Sequence, residues 1–366
     1  MSKIPTVDGI PVAIIPASEP VPTPRILVTA KDAVPSPPSR FSLKLSAGWW
    51  RSLQYVGMSL HFLASPRPPS PSFTKTVKST ISKTKGEFEL QFYTPKGYGE
   101  AKKTGKTYPA VVNFHGGGFT IGNGTDDARF GRYVLEQCDA IFVSVDYRLA
   151  PEHPFPVAVD DAADAILYLI RSAKDLHIDP NKLATSGFSA GANLAITSTM
   201  RLTEHIDSLK TSNTSIPKHQ VRAVATWYPI TDYTLSRAER RATSVRPDQT
   251  LPDNITSLFD ASYLYPRDLL LAHPLLSPSK ASDEQLAKAI PPNIVFYTCE
   301  WDMLLREGEE LARRLEKAPI SKKVYYKMIP EVPHGWDKSP DPLKPAAHTD
   351  ELYRECCQHL KNIFAE

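Results

Sequence analysis

Short apolar runs alternate with longer stretches of helical periodicity along most of this chain. The runs are rich in β-branched and aromatic side chains, which is typical of buried strands. They cover residues 88–93, 111–114, 140–145, 183–186, 221–226, 294–297 and 324–328. Apolar residues recur at helical spacing in 157–170, 304–315 and 351–364. This alternation predicts an α/β fold, with a mostly parallel sheet covered by helices on both faces.

A different pattern precedes the first of these strands. Between residues 41 and 64, large apolar side chains recur at spacings of four and three, which predicts an amphipathic helix of roughly five turns. They are Trp49, Leu53, Val56, Leu60 and Leu63. Polar residues interrupt the segment, so it is not a membrane span. We expect the apolar face to pack on the protein as core or cap; contact with a membrane surface through its aromatic residues is the less favoured alternative.

Proline divides the chain into regions. Of 34 prolines, 13 fall within the first 71 residues, which predicts extended, weakly ordered chain on both sides of the helix. The expected organisation is a proline-rich segment over 1–40, a helix and linker over 41–72, and a catalytic domain over 73–366. With 366 residues, of which 41% are hydrophobic, the chain is long enough for one large globular core.

Charge and cysteine content exclude several classes of protein. The 43 Lys and Arg against 40 Asp and Glu are scattered, which gives little support for nucleic-acid binding. Four cysteines form no disulfide framework, and early prolines break every candidate leader, so we expect a cytoplasmic protein. No dinucleotide, phosphate-loop or zinc-ligand motif is present, and no cofactor or metal is expected. The sequence leaves the oligomeric state open.

The candidate chemistry begins at Ser189. It lies in the pentapeptide G-F-S-A-G over 187–191, between an apolar run and a small-residue helical stretch. A serine on a sharp strand-to-helix turn has crowded neighbours, and glycines two positions before and after it relieve the crowding. The pattern predicts a nucleophile elbow, with the hydroxyl group exposed above the edge of the sheet.

Three further motifs follow predicted strands. The run 111–114 leads into His115-Gly116-Gly117-Gly118, a glycine turn of the kind that presents backbone N–H groups to an oxyanion. Asp302 follows the run 294–297, and His334 follows the run 324–328. The competing acids are Glu300 and Glu307, and the competing histidine is His348. Serine, acid and histidine occur in the chain order of α/β-hydrolases.

These motifs resemble the hormone-sensitive-lipase-like branch of the α/β-hydrolase superfamily. The matching pieces are the glycine turn, the stretch D-Y-R-L-A-P-E-H-P-F-P over 146–156, the elbow, Asp302-Met303-Leu304 and His334-Gly335. The resemblance covers residues from about 109 to the C-terminus and implies an α/β-hydrolase fold with a helical cap. The cap would combine the N-terminal helix with an insertion at about 235–271.

Site roles follow from the same resemblance. It implies Ser189 as nucleophile, His334 as general base and acid, Asp302 as the group that orients the histidine, and the N–H groups of Gly117, Gly118 and Ala190 as the oxyanion hole. The residue before the serine is commonly acidic or small and polar in this family, and here it is Phe188. In the 146–156 stretch, Arg148 and Glu152 are expected to form structural ion pairs, and His153 and Asp161 to be structural as well.

The expected function is hydrolysis of a carboxylic ester through an acyl-enzyme. A lyase or acyl-removing enzyme acting on a natural product is the alternative enzyme class, and a receptor that has lost catalysis is a non-enzymatic alternative. Aromatic residues near the motifs are candidates for the pocket lining: Phe188, Trp227, Tyr228 and Trp336. The substrate itself, expected to be a small-molecule ester, does not follow from the sequence.

Overall fold

The computed structural model describes residues 6–7, 10–11, 27–211 and 215–366. Two short strands pair with each other near the N-terminus, and eight strands form the central sheet. In chain order the strands are β1 Thr6–Val7, β2 Ile10–Pro11, β3 Phe73–Lys78, β4 Glu87–Tyr93, β5 Tyr108–Phe114, β6 Ile141–Asp146, β7 Ile178–Phe188, β8 Val221–Trp227, β9 Asn293–Cys299 and β10 Lys323–Ile329.

The helices differ greatly in length. They are α1 Ala30–Ala33, α2 Arg40–Leu63, α3 Ala101–Thr104, α4 Ala128–Cys138, α5 Val157–Arg171, α6 Ala190–Thr211, α7 Arg237–Ala242, α8 Asp253–Tyr263, α9 Asp283–Ala289, α10 Leu305–Glu316 and α11 Thr349–Ala365. Most of the long helices follow a strand of the central sheet, as βαβ units require.

The strands of the central sheet lie in the order β10-β9-β8-β7-β5-β6-β4-β3. Pairing is parallel from β10 through β6 and antiparallel where β4 joins β6 and β3 joins β4. All seven predicted strands are present, and the predicted mostly parallel sheet is confirmed. The sequence did not predict β3, an edge strand whose side chains are mostly exposed, because its pattern lacks an apolar run.

Alternate residues of the central strands face two separate hydrophobic layers. On β5, Ala110, Val112 and Phe114 belong to the layer covered by α5, α6 and α10, whereas Val111 belongs to the layer covered by α4 and α11. Because side chains of a strand point to opposite faces in turn, both faces of a buried parallel sheet must be apolar. Packing on both faces holds the sheet in place, and the carboxyl ends of its parallel strands lie along the same edge.

Helix α2 occupies the segment where the sequence predicts a helix, but its packing face differs from the prediction. The residues that carry the predicted packing stripe are 40–64% exposed: Trp49, Leu53, Val56, Leu60 and Leu63. The buried side chains lie on the opposite face: Leu43, Ala47, Met58 and His61. The expectation that the large apolar stripe packs on the protein is therefore wrong. The contact is made by two apolar side chains, Leu43 and Met58, together with the small Ala47 and the hydrogen-bonding His61.

The N-terminal region also differs from the predicted weakly ordered segment over 1–40. Most of residues 1–26 lie outside the described residues. At residues 27–30 the chain packs on the protein, because Leu27 and Ala30 are buried. The backbone N–H of Leu27 donates to the carbonyl of Thr234, at 2.8 Å, and that of Ala30 to the carbonyl of Leu269, at 2.9 Å. These contacts attach residues 27–30 to both ends of the insertion, at Thr234 and Leu269.

The 235–271 region contains α7 and α8 and lies against α2. The guanidinium group of Arg40 donates to the carbonyl oxygen of Ser262, at 3.1 Å, and Leu43 packs with Leu258 and Ala261. Within the described ranges, no helix combines the length and hydrophobicity that a membrane crossing requires.

Candidate active site

Ser189 sits at the turn between β7 and α6. Its φ of 55° lies in the left-handed region, a strained conformation for a residue with a side chain. The backbone N–H of Ser189 donates to the carbonyl of Trp227 at 2.9 Å, which fixes the turn to β8. A Cβ atom on Gly187 would collide with the backbone of Gly191, and one on Gly191 with the carbonyl of Phe114. Both glycines are therefore required by close backbone approach.

A chain of two hydrogen bonds links the three residues that the motifs single out. The Nε2 atom of His334 lies 2.8 Å from the Oγ atom of Ser189. On the other side of the ring, Nδ1 lies 2.6 Å from Oδ2 of Asp302. The N–H of Leu304 donates to the second carboxylate oxygen of Asp302 at 3.0 Å. Asp302 is buried, so its charge acts on the imidazole with little screening by water.

The competing residues lie elsewhere. Glu300 accepts a hydrogen bond from the backbone N–H of Glu331, at 2.7 Å. Glu307 is buried beside Arg240, with a guanidinium-to-carboxylate distance of 2.9 Å, and burial raises its pKa to about 7. His348 is exposed at the start of α11, with its Nδ1 atom 4.0 Å from Glu351. None of these contacts involves Ser189.

The glycine turn lies beside the serine. Gly117 and Gly118 have φ values of 106° and 57°, and both line the same cavity as Ser189. The carbonyl of Gly117 accepts from the N–H groups of Thr120 and Ile121, each at 3.0 Å. These bonds turn that carbonyl into the loop, away from the cavity. Ala190 is the first residue of α6, where backbone N–H groups have no partner within the helix.

The cavity above Ser189 has a volume of about 890 Å³ including its open mouth. Catalytic-motif residues form its floor, and side chains from α2 and α8 form its walls. The lining comprises Gln54, Gly57, Met58, Gly116, Gly117, Gly118, Ile121, Asp126, Asp127, Phe188, Ser189, Tyr228, Leu251, Ile255, Phe259, His334, Gly335, Lys338 and Pro340. It is mainly apolar, with a few charged groups on one side.

Two of the four predicted pocket aromatics line this cavity. Phe188 and Tyr228 do so, and the Tyr228 ring meets His334 edge-on with centroids 4.8 Å apart. Trp227 and Trp336 lie elsewhere, contrary to the sequence prediction. Trp227 is fully buried and stacks on Tyr297 at 4.1 Å, because its position in β8 points it into the core. Trp336 donates from its indole N–H to the carbonyl of Ala347, at 3.1 Å.

Phe188, the unusual residue of the elbow, has a defined environment. One contact is a parallel stack on Trp227, with centroids 5.6 Å apart. The ammonium group of Lys338 lies 3.9 Å from the centroid of the same ring, within the range of a cation–π interaction. That ammonium is also 2.8 Å from Asp127 and 3.1 Å from Asp337. The aromatic ring thus contacts a half-buried lysine, which no sequence motif predicted.

Asp126 provides the second polar feature of the cavity. Its Oδ2 atom accepts a hydrogen bond from the amide of Gln54 at 2.6 Å and from the N–H of Asn123 at 3.0 Å. No described residue donates to Oδ1. Burial raises the pKa of this carboxyl to about 6, and the nearby charge of Asp127 acts in the same direction. Helix α2 therefore contributes directly to the electrostatics of the cavity.

The 146–156 stretch is held by ion pairs of Arg148 and Glu152, as the sequence indicates, each with a partner outside the stretch. Arg148 forms a buried bidentate pair with Asp161, at 2.7 and 2.9 Å. Glu152 pairs instead with Arg51 of α2, at 2.9 Å. Arg51 also donates to the carbonyl of Thr120, at 2.9 Å, so this stretch joins α2 to the glycine turn. The contact of Arg51 had no signal in the sequence.

Known proteins share this architecture. A family model described as the alpha/beta hydrolase fold matches residues 111–338. An AB hydrolase superfamily protein of Schizosaccharomyces pombe is 47% identical over 88 residues, which cover 24% of this chain and 26% of that protein. "Lipase 2" of Moraxella sp. is 31% identical over 244 residues, which cover 62% of this chain and 54% of that protein. The chain thus spans about half or less of the length of these two relatives.

A solved structure is similar to this protein over a larger part of the chain. The Pyrobaculum calidifontis esterase superposes with a TM-score of 0.69 and 26% sequence identity, covering 87% of this chain and 93% of that one. Together, the family match and these similarities show that the chain belongs to the α/β-hydrolase family, in the hormone-sensitive-lipase-like branch that its motifs resemble.

Proposed function

We propose that this protein hydrolyses a small-molecule carboxylic ester, with Ser189, His334 and Asp302 as its catalytic triad. The observation that carries the proposal is the unbroken hydrogen-bond chain from Ser189 through His334 to Asp302 at the floor of an open cavity. A serine hydroxyl is a weak nucleophile, and it becomes reactive when an oriented base accepts its proton. Relatives whose names include a lipase and an esterase support the same reaction class.

The first half of the proposed reaction forms an acyl-enzyme. The Oγ atom of Ser189 attacks the carbonyl carbon of the ester while Nε2 of His334 takes its proton. Backbone N–H groups of Gly117, Gly118 and Ala190 donate to the oxyanion of the tetrahedral intermediate. As the intermediate collapses, the carbon–alkoxy bond breaks and the histidine returns the proton to the leaving alcohol. Asp302 stabilises the imidazolium ion and holds Nδ1–H toward itself.

The second half releases the acid. A water molecule loses a proton to Nε2 of His334 and attacks the acyl carbon from the face vacated by the alcohol. The second tetrahedral intermediate uses the same backbone donors, and its collapse returns the proton to Ser189 and releases the carboxylic acid. Solvent reaches the site through the open mouth of the cavity.

The walls of the cavity favour an apolar substrate. Met58, Ile121, Leu251, Ile255 and Phe259 line it, and burial of acyl or aromatic carbon against such side chains is favourable by roughly 25 cal/mol per Å². We infer that one part of the substrate is a hydrocarbon chain or ring.

Labelling and turnover test this proposal together. The full chain should hydrolyse p-nitrophenyl acetate or butyrate, and a fluorophosphonate should inactivate it with a mass increase on the peptide that contains Ser189. In H₂¹⁸O, the acid product should carry one ¹⁸O atom. Absence of turnover on a series of acyl lengths would contradict the proposal, as would label on another residue. Product formed without incorporation of ¹⁸O would indicate a lyase.

We also propose the assignment of the domains and of the compartment. Residues 73–366 form the catalytic domain, and α2 with the insertion at 235–271 forms a cap, which is supported by their shared lining of the cavity. A cytoplasmic, reducing location agrees with the four free and buried cysteines. Cell fractionation with an antibody against the full chain would test the compartment.

A further inference from the structure

Helix α2 carries a continuous apolar stripe on the face that points away from the protein. Its members are spaced by four or three residues, so they fall in one line along the helix. They are Phe41, Leu45, Trp49, Leu53, Val56, Leu60 and Leu63, each 40–71% exposed. We call this line the outer stripe. An exposed apolar line of this kind, unlike single exposed apolar side chains, is typical of an interaction surface.

Contacts on the opposite face fix this orientation. Arg51 holds the carbonyl oxygens of Thr120 and Ala150, each at 2.9 Å. Near the C-terminal end of the helix, the Nδ1 atom of His61 lies 2.9 Å from the carbonyl of Ser339, and Nε2 accepts from Arg129 at 3.2 Å. Rotating the outer stripe inward would break all of these bonds. The stripe is therefore held on the surface by the fold.

Helix α2 carries three basic side chains and no acidic one. Residues 33–86 contain eight lysines and arginines and no aspartate or glutamate, in a chain whose formal net charge is only +3. Lys44, on α2 itself, is exposed. Arg51 is paired with Glu152, so Lys44 is the charge that α2 presents beside the outer stripe. Two copies packed on this face would bring their Lys44 side chains together, which disfavours self-association. A surface that combines apolar groups with negative charge is the complementary partner.

We propose that the outer stripe of α2 binds the surface of an anionic lipid bilayer, with the helix lying in the plane of the membrane. Amphipathic helices with aromatic residues on the apolar face and cations beside it insert at the boundary between headgroups and acyl chains. The helix has 24 residues and is thus about 36 Å long, enough for the whole stripe to contact lipid along its length.

The same helix also forms part of the cavity wall. Gln54, Gly57 and Met58 line the cavity, on the side of α2 opposite the outer stripe. A helix with its side chains is about 10 Å across, so bilayer binding would place the cavity about one helix diameter from the lipid. Binding itself does not require the triad. It would, however, favour ester substrates that partition into membranes over those dissolved in water.

Co-sedimentation of the full chain with vesicles tests this proposal. We expect the wild type to sediment with vesicles of phosphatidylcholine and phosphatidylserine, and to bind at least about tenfold more weakly to phosphatidylcholine alone. The double variant Trp49→Glu/Leu53→Glu should bind the mixed vesicles at least about tenfold more weakly, with unchanged hydrolysis of soluble p-nitrophenyl acetate. Met328→Glu, a matched change on the edge strand β10 at the far end of the sheet, should bind like the wild type.

Three results would overturn the proposal. The wild type could remain in the supernatant with both kinds of vesicle, or the double variant could bind as tightly as the wild type. In the third result, neither protein would bind vesicles, and light scattering would show a dimer of the wild type that the double variant does not form. The outer stripe would then be a self-association surface. The Ser189→Ala variant should still bind vesicles, so this test stands independently of ester hydrolysis.

Discussion

The Nε2 atom of His334 lies 2.8 Å from the Oγ atom of Ser189, although 145 residues separate them in the chain. Parallel strands explain this proximity, because Ser189 follows β7 and His334 follows β10 at the same edge of the sheet. Hydrogen bonds hold both residues in place. The backbone N–H of Ser189 donates to the carbonyl of Trp227, and the imidazole ring of His334 is hydrogen-bonded to Asp302. These bonds hold the pair in the fixed geometry that the proposed proton transfer requires.

Ser189→Ala is expected to leave the fold intact and to reduce kcat by roughly 10⁶, because only binding and oxyanion stabilisation would remain. Ser198→Ala is a matched control, since its hydroxyl group lies further along α6 and contacts the carbonyl of Ala195 at 3.5 Å. Steady-state kinetics on p-nitrophenyl butyrate, with circular dichroism for folding, would measure both. A folded Ser189→Ala enzyme with more than about a tenth of wild-type activity would place the nucleophile elsewhere.

Asp302→Asn is expected to lower kcat by about 10⁴, because asparagine would favour the wrong tautomer of His334. Glu300→Gln changes an acid two residues away that accepts only from the backbone of Glu331, so its effect on kcat should be small. Measured side by side, the two variants identify the acid. The opposite ranking would assign that role to Glu300.

Gly191→Ala is expected to destabilise the protein by several kcal/mol or to prevent folding, because the new Cβ atom would collide with the carbonyl of Phe114. Gly48→Ala is a control that should change the stability of the protein in the opposite direction. Gly48 lies on α2 with nothing within 4 Å of the added Cβ, so alanine should stabilise the helix by roughly 0.5 to 1 kcal/mol. Thermal melting of the two variants would compare them. Equal melting temperatures would contradict the crowded geometry of the elbow.

Asp126→Asn is expected to stabilise the protein above about pH 6 and to leave stability unchanged at acid pH. Burial raises the pKa of this carboxyl from 3.8 to about 6, so between these values the folded state holds more protons than the unfolded chain. Stability therefore falls as pH rises through this window, and the loss persists at higher pH. Two pKa units correspond to about 3 kcal/mol. Asparagine can still accept from Gln54, so packing should be preserved.

Denaturant unfolding at pH 4 and pH 8 would measure this effect. The control is Asp248→Asn at an exposed site, where a hydrogen bond from Arg246 lowers the pKa of the carboxyl. Its removal should give no stabilisation at pH 8. Equal stability of wild type and Asp126→Asn at both pH values would show that the Asp126 carboxylate is not destabilising in the folded protein.

Much of the fold and the candidate site could be predicted because the information is local. A buried strand needs a short apolar run and a nucleophile elbow needs glycines at fixed spacing, so β4 to β10 and Ser189 are visible in the sequence. Asp302 and His334 follow strands for the same reason. Lys338, Asp126 and Arg51 carried no such signal, because each also has a partner far away in the chain: Asp127, Gln54 and Thr120, respectively.

Helix α2 shows where the sequence stops being informative. The spacing of Trp49, Leu53 and Val56 determines that a helix forms and that these residues share a face. Periodicity alone, however, does not determine whether that face points toward the protein or toward solvent. Long-range hydrogen bonds of Arg51 and His61 decide the direction. In the same way, only the tertiary structure selects Phe188 and Tyr228 as cavity walls and places Trp227 in the core, because the direction of a side chain depends on which layer its strand faces.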